Sequence, residues 1–157
     1  KQFLSGEEFL FLGESYPLEV QNDTDQPLHL RDGFILNAKE QSRGRELFIG
    51  WYKNEAKKII AARVEWWAQR FGLAYQSVNI TRANRRWGSC APNDRLNFSW
   101  RLVMAPLTVI DYVVVHELAH ITHKNHSRRF WSRVKAMYPG YKDAKTWLRA
   151  NEGMLNL

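Results

Sequence analysis

The stretch from Thr108 to about Lys124 constrains this chain more than any other, because it reads as one helix with almost no polar side. Val113, Val114 and Val115 are followed by Leu118, Ala119 and Ile121, so apolar residues fall on most of its faces. A helix of that kind has to be covered all round, which puts it in the middle of a domain with other elements packed about it. The 157 residues suit one such domain. A hydrophobic content of 45% with seven Trp argues against disorder. No run approaches the roughly 20 apolar residues that a membrane span requires.

The rest of the chain supplies the cover. Residues 1–49 read as a β-rich region, with turn signals at Ser5-Gly6, Leu12-Gly13, Asn22-Asp23 and Asp32-Gly33 separating short alternating runs. Residues 50–157 form the helical part of the same single domain, 1–157. Tyr52, Ala56, Ile59, Ile60, Val64 and Trp67 predict a helix from Gly50 to Phe71 that stops at Gly72. Strands are predicted over Ser77–Arg82 and Leu96–Val103, joined through Arg85-Arg86-Trp87-Gly88-Ser89-Cys90, where Gly88 suits a tight turn. Thr108 is the expected N-cap of the apolar helix, with Asp111 three residues on in a capping-box arrangement. Ser127 is the expected N-cap of a third helix running to Tyr138, and a short last helix covers Ala144–Ala150. The fold class is α+β.

The apolar helix carries polar groups that need an explanation: His116, Glu117 and His120, followed by His123 and His126. Residues four apart stand one turn above each other, so His116 and His120 can chelate one metal ion, with Glu117 beside it as general base. Two His and a Glu in a buried helix are costly without such a partner. A hydrolytic Zn2+ site needs a third protein ligand and one open position. His126 is the best candidate, since Asn125 tolerates the left-handed backbone that ends a helix and Ser127 starts the next. His123 shares the face of His116 and His120, but one straight helix hardly arranges three imidazoles tetrahedrally. Cys90 is read as a small buried thiol rather than a fourth ligand.

The single cysteine rules out an internal disulfide and suits a reducing, cytoplasmic setting. The net charge of +7 is concentrated beyond residue 50, in Arg82, Arg85, Arg86, Arg95, Arg101, Lys124, Arg128, Arg129 and Arg133. That basic face, with Trp87 and Trp100 interleaved to stack on bases although strand alternation points Trp100 inward, offers a second reading as a nucleic-acid-associated zinc module. Glu117 separates the two readings, because a closed structural zinc site has no use for a carboxylate beside an open position.

Phe9-Leu10-Phe11-Leu12-Gly13 with Tyr16, Arg86-Trp87-Gly88-Ser89-Cys90, Asn97–Leu102, Asp111–His120, Asn125-His126-Ser127 and Phe130-Trp131 together resemble the YgjP-like metal-dependent hydrolases, a zincin-type metallopeptidase family. More loosely the chain is similar to the SprT and WLM proteases, linked to removal of proteins crosslinked to DNA. The resemblance implies a zincin-like fold around a central HExxH helix, a peptide or protein substrate, and His126 as third ligand. It also implies an edge strand beside the metal that pairs with substrate, for which Leu96–Val103 is the candidate. Tyr112, Tyr138, Tyr141 and Arg86 are the candidates for holding the oxyanion. Members usually have an additional N-terminal segment, and this chain opens at Lys1 rather than Met, so a longer parent protein is expected.

Overall fold

The computed structural model describes residues 1–157, and its architecture is α+β. Four short strands open the chain: β1 (Glu8–Phe11), β2 (Glu14–Gln21), β3 (Leu28–Leu30) and β4 (Phe34–Asn37). They form one sheet in the order β1-β2-β4-β3, in which β1–β2 and β3–β4 are antiparallel and β2–β4 is parallel. Gly33 makes the β2–β4 approach possible, since a Cβ there would lie 2.7 Å from the Pro17 carbonyl oxygen.

After a 3-10 turn over Ala38–Arg43 comes α1 (Gly44–Phe71), which starts earlier than the Gly50 expected and ends at Gly72 in the left-handed conformation. At 28 residues it is about 42 Å long and serves as the spine of the molecule. Its buried stripe, Phe48, Tyr52, Ala56, Ile60, Val64 and Trp67, recurs every three or four residues. The first sheet lies on its N-terminal half, where Phe9 stacks on Phe48 with ring centroids 4.1 Å apart. The Tyr52 hydroxyl donates to the Leu10 carbonyl at 2.6 Å, which keeps its burial from stranding a polar group.

A second sheet contains β5 (Ser77–Thr81), β6 (Gly88–Cys90) and β7 (Arg95–Ser99) in the order β5-β7-β6. The strand β7 is therefore central, parallel to β5 and antiparallel to β6. It stops at Ser99, short of the Val103 expected, and Trp100–Met104 turn into a 3-10 segment in which all five residues are buried. Arg101 is buried with them without a carboxylate partner. It donates to the Leu155 carbonyl at 3.3 Å and the Ala83 carbonyl at 3.5 Å and lies over the Trp87 ring at 4.6 Å.

The helix α2 (Leu107–Ala119) is the central one, with ten of its thirteen residues buried. Its cap is Pro106 rather than Thr108, and Asp111 serves another purpose. The Asp111 carboxylate takes both arms of Arg63 on α1, at 2.7 and 2.8 Å, and so clamps α1 to α2. Two more helices, α3 (Arg128–Met137) and α4 (Tyr141–Asn151), cover the other side of α2. A contiguous core of 35 buried residues runs from Phe3 to Leu155. No helix is long and apolar enough to cross a membrane.

Candidate metal centre

Both α2 and the segment after it set the site. The helix ends at Ala119, before the Lys124 expected, because the backbone tightens into i→i+3 bonds from His120 N–H to Glu117 and from Ile121 N–H to Leu118. The turn does not use a left-handed Asn125, which is absent from the positive-φ residues. The chain instead runs on to Ser127, whose hydroxyl accepts from the Phe130 N–H at 3.3 Å and starts α3 as expected. His126 thus stands just before an N-cap, and its ring lies at 26° to that of Trp131 with centroids 6.1 Å apart. This is the placement of a hydrophobic staple, which fixes the angle at which a chain enters a helix. The same packing that starts α3 turns His126 toward α2.

The imidazoles of His116, His120 and His126 converge, each offering one nitrogen such that all three lie within 4.8 Å of one another. Phe130, fully buried, forms the floor beneath them, stacked on His120 at 4.3 Å and edge-on to His126 at 5.0 Å. The His120 Nδ1 faces the His123 carbonyl at 2.9 Å. A carbonyl only accepts, so Nδ1 carries the hydrogen and Nε2 keeps a lone pair directed into the cluster. That Nε2 lies 3.0 Å from the His126 Nε2. Around an ion with nitrogen bonds of about 2.0 Å, tetrahedral geometry separates ligand nitrogens by about 3.3 Å, so the His120–His126 pair is already near the spacing of a divalent metal site, with the His116 donor within 4.8 Å. His123 is not in the cluster; its ring contacts the Thr122 hydroxyl at 2.9 Å, and it contributes only its carbonyl. Burial, followed by the neighbouring His116 and His120, pushes the His126 pKa below its ordinary value against the pull of Glu117, and Lys145 adds to the depression. A depressed pKa keeps the ring neutral, as a metal ligand must be.

Glu117 is 4% exposed, and its carboxylate meets His116 Nδ1 at 3.0 Å. Gly88 on β6 is what admits it. A Cβ at Gly88 would come within 3.0 Å of Glu117 Cγ and 3.1 Å of its Oε2. Gly88 therefore serves a close approach within a strand rather than the tight turn expected of it. Sequence reasoning singled out the glycine but missed this role, since nothing local shows that β6 will lie against α2.

A cleft of about 610 Å³ opens over these groups, lined on one side by the three His and Glu117 and on the other by Gly88, Ser89 and Cys90 of β6. The expectation that Leu96–Val103 presents an edge to this cleft is overturned: β7 is paired on both sides, and β6 is the strand that reaches it. Cys90 is half-buried and outside the histidine cluster, with burial pushing its thiol pKa up. Lys124 is tied to Asp94 at 2.9 Å, which leaves Arg86 as the cation of the cleft without an ion pair. Among the other oxyanion candidates, the Tyr138 hydroxyl donates to the Thr108 carbonyl at 2.9 Å and is occupied there. Tyr112 and Tyr141 are buried and stacked on each other, and burial pushes the Tyr112 phenol up to about 12.

The nucleic-acid reading loses one of its stacking residues and one of its cations. Trp100 is 4% exposed, pointing inward as strand alternation has it, Trp87 is half-buried with Arg101 over one face, and Arg101 is itself buried rather than on the basic face.

Compared with known families, the chain matches the YgjP-like metallopeptidase domain over residues 1–151. No curated protein and no solved structure matches it.

Proposed function

The chain belongs to the YgjP-like metallopeptidase family, and on that premise we propose that it is a zinc-dependent peptidase in which His116, His120 and His126 hold the metal and Glu117 is the general base. One observation carries this reading: three imidazole nitrogens gathered within 4.8 Å beside a buried carboxylate that has no cationic Lys or Arg partner. When bound, zinc supplies Lewis-acid polarisation of the scissile carbonyl and of water. Three neutral imidazoles with one position left open suit zinc over harder cations.

The residues of the chain do the rest. Glu117 takes a proton from the attacking water and hands it to the leaving amine. Its shielded position beside Gly88 keeps the carboxylate aimed into the cleft, and the wall of β6 limits competing water. Substrate backbone lies along the free edge of β6, where main-chain donors and acceptors give affinity without demanding a particular side chain. Arg86 is the cleft group left free to hold the charge that develops on the substrate oxygen. His123 fixes the tautomer of His120 through its carbonyl.

The test is Glu117→Gln, measured for zinc content and for digestion of a broad peptide library. The expected result is retained zinc and hydrolysis reduced by about 100-fold or more, the range of a lost general base. Undiminished digestion by the Gln variant overturns the assignment of Glu117.

A further inference from the structure

A second concavity, of about 470 Å³, adjoins the metal centre through Trp131. Its lining is Trp131, Tyr141, Lys142, Lys145, Thr146 and Arg149. Trp131 links the two: its ring lies 5.7 Å from that of His116, and the Lys145 ammonium sits 4.2 Å from its centroid. Tyr141 stacks on the same indole at 5.6 Å and completes an aromatic wall.

The three cations of this pocket come from one helix. Lys142, Lys145 and Arg149 stand at i, i+3 and i+7 on α4, so they share a face. None of them makes an ion pair with a carboxylate, although three like charges on one helix face repel. Ordinary solvated lysines project from a convex surface; these surround a hollow with stacked rings on one wall and the Thr146 hydroxyl among the donors. Cations gathered unpaired around a concave site beside a reaction centre concentrate an anionic ligand there.

We propose that this pocket is a carboxylate subsite of the metal cleft, with Lys145 and Arg149 selecting substrates that carry an acidic group near the scissile bond. The inference rests on the peptidase reading and names the substrate class for it: acidic peptides. An extended peptide advances about 3.3 Å per residue, and the rings of His116 and Trp131 lie 5.7 Å apart, so a group a few positions from the bond at the metal comes within reach of the pocket. The carboxylate is supplied either by an Asp or Glu side chain or by the peptide's own C-terminus; both present the same two oxygens to the same donors.

The experiment measures binding and cleavage separately. Zinc-loaded Glu117→Gln protein is titrated, by fluorescence anisotropy at low salt, with labelled decapeptide pools that differ only in Glu against Gln, each with a free or an amidated C-terminus. The acidic pool is expected to bind about tenfold tighter than its Gln counterpart, the discrimination of one charge-assisted hydrogen bond. Whether the preference follows the side chain or the free terminus identifies the source of the carboxylate. Adding Lys145→Gln with Arg149→Gln is expected to reduce the preference below about twofold. The charge-retaining pair Lys145→Arg with Arg149→Lys keeps it, as does Lys57→Gln with Lys58→Gln, which removes the same charge from the exposed face of α1. Equal binding of all four pools, no binding of any, or a preference that survives the Gln pair overturns the subsite. A clear acid preference in a protein whose unaltered form digests nothing leaves the subsite standing and removes the peptidase reading instead.

Discussion

Replacing Gly88 by Ala tests the approach of β6 to α2 most directly. The new methyl carbon would lie 3.0 Å from Glu117 Cγ, 3.1 Å from Glu117 Oε2 and 3.2 Å from Phe98 Cδ1. Comfortable carbon contacts begin near 3.5 Å, so about 0.5 Å has to be found. Phe98 is fully buried and cannot yield, which leaves the Glu117 side chain or the strand itself to move. Overpacking of this kind costs about 1–3 kcal/mol, offset by about 0.4–1 kcal/mol from a stiffer unfolded chain. The net destabilisation is about 0.5–2 kcal/mol, a loss of a few degrees in Tm for a chain of this size. Catalysis should suffer more. Misplacing a reacting group by 1 Å costs up to about 100-fold, so half that displacement predicts a fall in kcat of about tenfold. None of the three atoms nearest the new methyl belongs to a histidine, and zinc content should stay at that of the unaltered protein. The assay joins a thermal melt, metal analysis and hydrolysis of a peptide found by library digest. Unchanged kcat in a folded, zinc-loaded variant refutes the claim that Gly88 positions Glu117, and loss of zinc shows that the crowding falls on the ligands instead.

Three other perturbations probe separate parts of the molecule. Asp111→Ala leaves the Arg63 guanidinium without its bidentate partner across the α1–α2 contact and should lower stability by about 1–3 kcal/mol, read by chemical denaturation; an unchanged midpoint rejects the clamp. His126→Ala should weaken zinc binding by more than about 100-fold, beyond the cost of an outer partner, while His123→Ala keeps the metal because only its carbonyl takes part; equal losses would show that His123 is a ligand. For the metal-free protein, the His126 pKa is lowered in the fold from an ordinary 6.5, so the unfolded chain binds the extra proton first. Its contribution is therefore full above pH 6.5 and drains away as the pH falls below it, and the metal-free Tm should drop as the pH falls below 6.5, with a smaller drop in His126→Ala.

The parts of the site that were legible in the sequence are those set by local rules. The four-residue spacing of His116 and His120 needs only helical geometry, and the Ser127 cap and Gly72 stop need only the chemistry of helix ends. What could not be read depends on long-range pairing. Leu96, Phe98, Trp100 and Leu102 alternate with polar residues and read as one long strand, yet Arg101 is drawn inside by the Leu155 and Ala83 carbonyls and the chain turns at Ser99. Nor does any local pattern show that β6, only three residues long, flanks β7 and becomes the wall of the cleft. Asp111 sits where a capping box would put it, but its partner Arg63 is 48 residues away. Early termination of α2 at Ala119 follows from the polar run Thr122–Asn125, which offers the next turn nothing to bury.

Arg101 has a consequence for the cleft. Its guanidinium ties the backbone at Leu155 to the loop at Ala83 while lying on Trp87, the residue just before Gly88. Burial pulls the pKa of this cation down, and its Nε has no partner at all, so the contact with the tail is one it can ill spare. A substitution that displaces the backbone around Leu155 would therefore reach the β6 wall of the cleft through Arg101 and Trp87. Residues 54 positions apart in the sequence thus brace the same strand, and the cleft answers to a contact well outside its own lining.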